Sequence, residues 1–458
     1  MATIIEQKPL YNPLPVGQDI MFTLSNSTIV TTYYNVKFVA EVFISGGVPP
    51  NTNVNTDLIG TFKSAPNNAG VGMFDFSAVV ENYVKADNLA GIGSYYKTSL
   101  VTATSQPVPP LHLIDKYSIN NHAIKWLAIK FSIEGSTTLT SIPTIIAGED
   151  VNSIDYRIFN GYLKHTDQLG IFGNDFGYNT TGFQLINSTS SFLTNAPTTQ
   201  YANVEDYGTI GFIPVNANLS YITCSYKDSS GGSLGFDQVM SGLHPSSTAG
   251  QQLHYFGCYP ANLQNWSATF QALVAAGTIA HYTVQAFDNT ATAISQLYTI
   301  NVNCPDLKNY EPIRIAWLNQ WGAWDYYTFT KKSTRTISTQ GSTYTQLEGT
   351  WNESVFKLNG YRGGKKAFRV NATEKIKMNT DFVNESESEW FEELINSPEV
   401  YLLTGYGSSG AAFDMLNTYV TPIRITTSSY TRKTIANDKL MQYSFEVEKS
   451  KTLRTQAI

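Results

Sequence analysis

The 458-residue chain is too long for one ordinary hydrophobic core, so its length predicts two to four domains. Only 14% of its residues are charged, whereas about 25% is usual in soluble proteins, and 28 Tyr and 24 Phe raise the aromatic share to 13%. The net charge of −6, with Lys and Arg scattered along the chain, excludes the basic stripe of a nucleic-acid-binding protein, and no direct nucleic-acid contact is expected. A surface so poor in charge suits burial against other subunits, although lectin and adhesin surfaces have a similar composition.

The first residues, MATIIEQKPLYNPLPVG, lack the charged start, apolar run and small-residue cleavage site of a signal peptide. Later apolar stretches, such as AIKWLAIKFSI, contain lysines. The sequence therefore predicts neither a cleaved signal nor a membrane span.

Residues 1–140 are predicted to form an N-terminal β-sandwich-like domain. Runs such as DIMFTLSN and YYNVKFVAEVFI alternate polar and apolar residues between turn residues, which is typical of strands with one solvated face. One short helix is predicted in FSAVVENYVKAD, where Asp75 or Ser77 provides a cap and apolar residues follow at helical spacing.

Residues 141–207 are rich in Asn, Thr, Gly and Ser, and we predict a long polar loop or arm there. Its aromatic residues favour ordering by a partner over free disorder. The acidic stretch GEDVNSID, from Gly148 to Asp155, lacks the ligand spacing and turn glycine of an EF-hand, which favours a solvated loop over a calcium site.

Residues 208–308 return to alternating runs, such as NLSYITCSYKD and IAHYTVQAFD, and predict an immunoglobulin-like or fibronectin-like sandwich. The segment ANLQNWSATFQALVAAG within them is compatible with a short helix or a wide connection. All three cysteines, Cys224, Cys258 and Cys304, fall in this region without a CxxC motif. Buried free thiols are the favoured interpretation, and pairing in oxidising surroundings stays open.

Residues 309–458 predict a C-terminal β-rich α+β domain. Its clearest helix follows Asn384, which stands three residues before Glu387 in a capping-box arrangement. Trp390 and Leu394 form the predicted buried stripe, and Pro398 ends the helix. The four regions together predict a mainly β protein with two or three β-sandwich-like domains, a few short helices and long ordered loops.

No motif in the sequence indicates catalysis, a cofactor or a metal centre. His254 and Cys258 are placed on one face of a predicted strand, but two such residues are more often core residues than ligands. DSSGGS is typical of a hairpin connection and not of a nucleophile elbow. GYRGGKK, from Gly360 to Lys366, lacks the spacing and the Ser or Thr of a phosphate-binding loop and is interpreted as a basic surface turn.

The most distinctive stretch is NQWGAWDYYTF, from Asn319 to Phe329. Three interpretations stay open: a packed strand–turn–strand corner, a contact between subunits, or an aromatic platform for a sugar. A corner would use Gly322 for the turn, Asp325 to cap or bind backbone amides, and inward-packed aromatic side chains. The candidate packing or interface residues are Trp317, Asn319, Trp321, Gly322, Trp324, Asp325 and Phe329.

Four segments carry a family resemblance: LYNPLPVGQDIMFTLSN at 10–26, GVGMFDFSAVVENYV at 70–84, YEPIRIAWLNQWGAWDYYTFTKKS at 310–333 and WFEELINSPEVYLL at 390–403. Together they resemble virion structural proteins of tailed phages of Bacteroidetes hosts, crAss-like phages included. The resemblance implies a capsid-external virion protein of the tail, neck or baseplate, made in the host cytoplasm. It implies a symmetric ring or sleeve built by contacts with copies of itself and with other tail or neck proteins. It implies no catalytic residues and no cofactor.

In this interpretation, residues 1–20 and 141–205 are candidate intersubunit arms. The alternative function is a carbohydrate-binding adhesin or receptor-binding fibre-like protein that uses exposed Trp and Tyr, and a glycan hydrolase is the most distant possibility. Burial or exposure of the aromatic side chains at 317–324 discriminates between the first two.

Overall fold

The computed structural model describes residues 3–9, 13–91, 110–120, 122–163, 192–213, 219–239, 253–303, 310–403, 419–431, 441–451 and 453–454. Strands account for 47% and helices for 13%, in several multi-stranded sheets with few short helices, which confirms the predicted mainly β class. The chain divides into two compact units. Unit 1 comprises residues 1–304 with 318–325, and unit 2 comprises residues 305–317 with 326–458.

The described residues of unit 1 form eighteen strands and four short helices. The strands of its N-terminal half are β1 (Ile4–Gln7), β2 (Leu14–Pro15), β3 (Met21–Ser25), β4 (Tyr34–Ser45), β5 (Leu58–Ser64), β6 (Val71–Asp75), β7 (Tyr117–Asn120), β8 (Ile124–Ser136), β9 (Thr144–Ile145), β10 (Val151–Asn152) and β11 (Tyr156–Phe159). The remaining strands are β12 (Thr199–Asn203), β13 (Thr209–Phe212), β14 (Tyr221–Lys227), β15 (Ser233–Val239), β16 (Leu253–Gly257), β17 (His281–Phe287) and β18 (Tyr298–Asn303). The helices are α1 (Ile29–Thr32), α2 (Ser77–Val80), α3 (Pro260–Trp266) and α4 (Ala268–Ala275), with 3-10 turns at Asn55–Asp57, Glu81–Tyr83 and Leu111–Leu113.

Two sheets of unit 1 form a sandwich. One has the strand order β1-β3-β6, and the other has the order β2-β11-β8-β4-β5 with β9 and β10 paired to β8. Their alternating apolar residues meet in one core, where the Phe22 and Phe131 rings lie 5.5 Å apart. Burying an aromatic side chain of this size contributes about 1.5–3 kcal/mol to the free energy of unfolding. Such contacts therefore dominate the stability of the sandwich.

The predicted short helix at FSAVVENYVKAD is confirmed as α2, followed by a 3-10 turn. Asp75, and not Ser77, supplies the polar side chain at its start, because its Oδ1 accepts the Ser77 amide at 2.9 Å. The segment predicted as a helix or a wide connection forms α3 and α4, and the Ser267 side chain accepts the Phe270 amide at the start of α4.

The other two sheets of unit 1 have the orders β12-β18-β17-β14-β15 and β13-β16-β7. Strand β12, from the segment predicted as a loop, pairs in parallel with β18, and β16 pairs with β7 from the N-terminal region. The predicted boundaries after residues 140 and 207 therefore do not separate compact units. The 208–308 region is correspondingly not a self-contained immunoglobulin-like sandwich, because its sheets take strands from both neighbours.

The described parts of the two predicted arms are built into sheets. Residues 4–7 form β1 against β3, and residues 144–159 supply three strands paired to β8. The backbone groups of these strands are therefore paired within the chain, and the intersubunit role of the two segments stays a prediction. Residues 164–191 of the predicted loop lie outside the described residues.

Two of the three cysteines are buried free thiols, Cys224 and Cys258. Burial raises the pKa of the Cys258 thiol well above its ordinary value, and its hydrogen bond with Cys224 contributes in the same direction. Cys304 lies outside the described residues.

In unit 2, the described residues form one helix and one sheet with the order β20-β19-β23-β24-β25-β22-β21, with β26 paired to β22. Its elements are β19 (Ile313–Leu318), β20 (Trp324–Phe329), β21 (Thr334–Gln346), β22 (Gly364–Asn379), α5 (Glu385–Asn396), β23 (Val400–Leu403), β24 (Val420–Ile425), β25 (Ser444–Lys449) and β26 (Leu453–Arg454). The predicted capping box is confirmed, with both the Asn384 and Glu387 side chains bonded to backbone amides. Trp390, Phe391 and Leu394 form the buried face of α5.

No helix in the described part of the chain is long and apolar enough to cross a membrane.

Candidate functional site

The segment singled out from the sequence, Leu318–Asp325, forms a tight buried turn in unit 1. The Asn319 amide donates to the Ala323 carbonyl at 2.9 Å, and the Gly322 amide donates to the Asn319 carbonyl at 3.1 Å. The Asn319 Oδ1 atom accepts the Trp321 and Ala323 amides at 3.0 and 3.1 Å. The Asn319 side chain thus organises this turn, and Asp325 Oδ1 accepts the Asn319 side-chain amide at 3.0 Å.

Gly322 occupies the turn position for a steric reason. Its φ of +74° lies in the left-handed region that other residues rarely adopt. A Cβ atom there would approach the Asn160 carbonyl oxygen to 2.5 Å. Both observations match the permissive turn expected of this glycine.

The two tryptophans of the turn are enclosed and hydrogen-bonded. Trp324 donates from Nε1 to the Asp87 carbonyl at 2.9 Å, and its ring meets His112 edge-on at 4.8 Å. Trp321 donates from Nε1 to Asn195 Oδ1 at 3.0 Å. These side chains are almost fully buried, which is the geometry of a packed corner.

The flanking candidates, Trp317 and Phe329, belong to unit 2 and are fully buried there. The Trp317 ring lies 4.8 Å from that of Trp390, and the Phe329 ring lies 5.8 Å from that of Phe445. The predicted site residues are therefore packing residues of two different cores. None of them presents an exposed aromatic platform.

Four exposed aromatic side chains, Trp351, Phe356, Tyr361 and Phe368, lie on a β-hairpin of unit 2 formed by β21 and β22. Residues 371–379 of β22 pair with β25 and β26 on one side and with β21 on the other. From Gly341 opposite Val370 outward, the two strands pair only with each other among the described residues. We call residues 341–370 the hairpin arm.

The local sequence explains why the arm is a hairpin without a core. Strand β21, TRTISTQGSTYTQ, is rich in β-branched threonine, which favours a strand, but lacks the apolar face that would bury it. Gly349, Gly363 and Gly364 adopt positive φ where the chain turns at the tip. Within the tip, the Thr350 hydroxyl donates to the Val355 carbonyl at 2.8 Å and accepts the Lys357 amide at 2.9 Å. The tip is thus held by its own hydrogen bonds.

The arm exposes an unusual amount of apolar surface. The Phe356 ring lies so close to Gly349 that a Cβ atom there would clash with it, and the ring is nevertheless 65% exposed. Seven apolar side chains of the arm are between 59% and 75% exposed: Leu347, Trp351, Val355, Phe356, Leu358, Tyr361 and Phe368. Such a concentration marks an interaction site in soluble proteins, because scattered single exposures are the norm.

The arm is also basic in an acidic protein. It carries five basic residues and two acidic ones, a net charge of +3. Since the whole chain carries −6, the remaining residues carry −9. The basic residues are Lys357, Arg362, Lys365, Lys366 and Arg369, and the acidic ones are Glu348 and Glu353.

An ion-pair cluster fixes the base of the arm to the sheet. Glu374 on β22 lies 2.6 Å from Lys449 and 3.0 Å from Arg335, which in turn lies 2.5 Å from Glu311. The hydrogen bond from Lys449, together with Arg335, holds the pKa of Glu374 below its ordinary value even though partial burial opposes the shift. The arm is therefore anchored to its own sheet at one end and exposed at the other.

Sequence reasoning interpreted GYRGGKK as a basic surface turn, and the structure places it at the tip of the arm, where Lys365 is exposed. The arm itself was missed. Its signal is a pair of Thr-rich and Lys-rich strands without an apolar face, joined by aromatic residues of no regular period. That pattern separates an exposed hairpin from a core strand.

The remaining sequence motifs do not converge on a catalytic centre. His254 and Cys258 are both buried in unit 1. Within the acidic stretch, Glu149 accepts hydrogen bonds from Thr3 and Asn26, which ties it to the N-terminal strand region. Among the described residues, no group of three or more His, Cys, Asp or Glu side chains is arranged to hold a metal ion.

No protein-family model matches the chain, and no curated protein matches it. Among solved structures, a crystal structure of a Salmonella alpha-2-macroglobulin mutant is similar at 7% sequence identity with a TM-score of 0.18. The likeness covers 100% of this chain and 30% of that one, so the chain spans less than a third of that protein's length. A likeness this weak carries no argument about function.

Proposed function

We propose that the chain is a non-enzymatic structural subunit of an ordered assembly, and that the assembly is the tail, neck or baseplate of a tailed phage virion. The observation that supports the first part is the hairpin arm with its exposed apolar tip. The second part rests on the resemblance of the four sequence segments to phage virion proteins. Its partners in this proposal are copies of itself in a ring or sleeve and other tail or neck proteins.

The physical argument starts from the stability of the arm. An isolated two-stranded hairpin is marginally stable in water, because it has no third strand or packed face. The free edge of β21 presents backbone donors and acceptors, and the tip presents aromatic side chains. Both features gain free energy when a neighbouring subunit covers them.

The area supports a specific contact. Four aromatic side chains of the arm, Trp351, Phe356, Tyr361 and Phe368, are about two-thirds exposed or more. They alone offer roughly 400–700 Å² of surface, since an aromatic side chain buries about 150–250 Å². A standard interface buries about 800 Å² per partner, so the whole arm is of the right size.

The adhesin alternative loses its original basis, because the tryptophans at 317–324 are buried. Its remaining support is the exposure of Trp351 and Tyr361 at the arm tip, where an aromatic face is open to a sugar ring. Binding to a glycan array by the monomeric chain, abolished by Trp351→Ala, would replace the assembly proposal with this one.

The assembly proposal is tested by light scattering and negative-stain imaging of the purified full chain. We expect closed or repeating assemblies, and we expect Trp351→Ser/Phe356→Ser/Leu358→Ser to reduce them to monomers without unfolding. The matched control is Val48→Ser/Met73→Ser/Phe236→Ser, which removes three similarly exposed apolar side chains from unit 1. Assemblies that survive the tip substitutions would contradict the role of the arm.

The virion part needs a separate measurement. Antibodies raised against the chain should label the tail or neck of phage particles whose genome encodes it. Labelling of the host surface, with no labelling of the phage particles, would contradict the virion assignment. The assembly proposal would be unaffected.

A further inference from the structure

We infer that the arm docks on a second copy of this chain, and that its docking surface is residues 137–155, which we call the acidic segment. This inference rests on the proposed assembly function and names the partner and the contact.

The acidic segment is the part of unit 1 whose exposed chemistry complements the arm. It carries Glu149, Asp150 and Asp155 and no basic residue, a net charge of −3 against +3 for the arm. Lys130, which lies outside the segment, is 3.9 Å from Asp150, and no residue within the segment is positively charged. Complementary charge favours the encounter of arm and segment on different copies and disfavours arm against arm.

The acidic segment is also apolar where it is exposed. Leu139, Ile142, Ile145 and Ile154 are between 48% and 85% exposed, whereas other exposed apolar side chains of unit 1 are more scattered along the chain. These side chains, which are close together in the sequence, give the aromatic tip of the arm apolar groups to cover. An interface with an apolar centre and a charged rim is the usual anatomy of a specific contact.

The segment is held in place, so it offers a surface and not a loose loop. Strands β9 and β10 pair with β8, and Ile146 donates its amide to the Ile133 carbonyl at 2.8 Å. The Glu149 side chain accepts the Thr3 amide at 3.1 Å, and the Asn26 side-chain amide at 2.9 Å. A preformed surface of this kind loses little conformational entropy when the arm docks.

The two surfaces are different patches of the same chain, so their contact is heterologous. A heterologous contact repeats from copy to copy and closes into a ring or continues as a filament. The inference therefore predicts a self-assembly whose strength falls with salt, because opposite charges at an accessible interface are screened.

A charge-swap experiment on the full chain tests the contact. The arm variant is Lys365→Glu/Lys366→Glu, and the segment variant is Asp150→Lys/Asp155→Lys. Each variant alone should associate at least about tenfold more weakly than the unaltered chain, since like charges then meet at every contact. An equimolar mixture should recover association, because the reversed arm fits the reversed segment and the unreversed surfaces also fit each other.

A matched control, Lys8→Glu/Lys85→Glu, changes the net charge of unit 1 equally at two exposed lysines and should leave association unchanged. Thermal melting of every variant shows whether it is folded. Association of the mixture no better than that of either variant would overturn the docking surface.

Different outcomes would contradict this inference and the proposed function. If the arm variant dissociates while the segment variant assembles normally, the arm remains an assembly contact and the acidic segment is wrong. If the unaltered chain stays monomeric at its highest soluble concentration, or its arm binds single-stranded DNA instead, the second-copy inference is wrong. If the tip substitutions leave assembly unchanged, the chain assembles without its arm, so this inference is wrong while the proposed assembly role stands.

Discussion

The turn at Leu318–Asp325 and the hairpin arm are both rich in aromatic residues, and both contain a glycine with positive φ. In the turn, each tryptophan nitrogen finds a carbonyl or side-chain acceptor in the interior of unit 1. In the arm, the aromatic side chains point outward from a ribbon without a core. The difference shows that aromatic composition identifies a segment that can pack or bind strongly. Whether its side chains are buried within the chain or stay exposed depends on the strands that lie beside it.

The largest effect should come from matched tryptophan substitutions. Trp324→Ala removes a buried ring and its hydrogen bond, and we expect it to lower the free energy of unfolding by about 3–5 kcal/mol. Trp351→Ala removes an exposed ring and should change it by less than about 0.5 kcal/mol, while weakening self-association. Chemical denaturation and light scattering measure the two effects. Equal losses of stability in the two variants would contradict the division between a buried turn and an exposed arm.

Matched asparagines provide the next effect. Asn319→Ala leaves several buried hydrogen-bonding groups of the turn unsatisfied and should cost about 3 kcal/mol of unfolding free energy. Asn352→Ala, at the exposed tip, should be close to neutral. If Asn319→Ala melts like the unaltered chain, Asn319 does not organise the turn.

Alanine substitutions at three glycines should have smaller effects that differ between the turn and the arm. Gly322→Ala forces a left-handed conformation and a clash with the Asn160 carbonyl, and should cost about 2 kcal/mol or more. Gly364→Ala meets the same conformational strain with open space around it and should cost about 1 kcal/mol. Gly360→Ala has neither cost and serves as the neutral control. A reversed order in thermal melting would contradict these turn geometries.

The smallest effect concerns pH and the base of the arm. The pKa of Glu374 is lowered in the folded chain, so its ion pairs stabilise the fold fully above the unfolded value of about 4.3. That contribution is lost as the pH falls through the lower folded pKa, and exposure of its partners limits it to about 1 kcal/mol. Glu374→Gln should remove this part of the pH dependence, whereas Glu353→Gln at the tip should retain it. Identical pH profiles for the unaltered chain and Glu374→Gln would exclude the effect.

The sequence predicted those features that depend on local chemistry. The mainly β class follows from two-residue alternation, and the helix after Asn384 follows from its capping box, because both signals are contained in a few neighbouring residues. The turn glycine at 322 is predictable for the same reason.

The features that sequence reasoning missed depend on distant partners. Strand β12 has the composition of a polar loop. It forms a strand because it pairs with β18, which lies about a hundred residues further along the chain. The Asn319 side chain binds the Trp321 and Ala323 amides from the start of the turn, a role that the sequence pattern did not single out. The arm was missed because its exposure depends on which strands lie next to it, and its local signal, a pair of strands without an apolar face, does not show that.

Hydrogen–deuterium exchange of the full chain, below and above its assembly concentration, tests the division between turn and arm most directly. We predict that peptides covering 341–370 exchange quickly in the dilute chain and become protected on assembly, while peptides covering 318–325 stay protected throughout. If peptides from the turn gain protection on assembly and those from the arm do not, the arm is not the contact between subunits and the account is wrong.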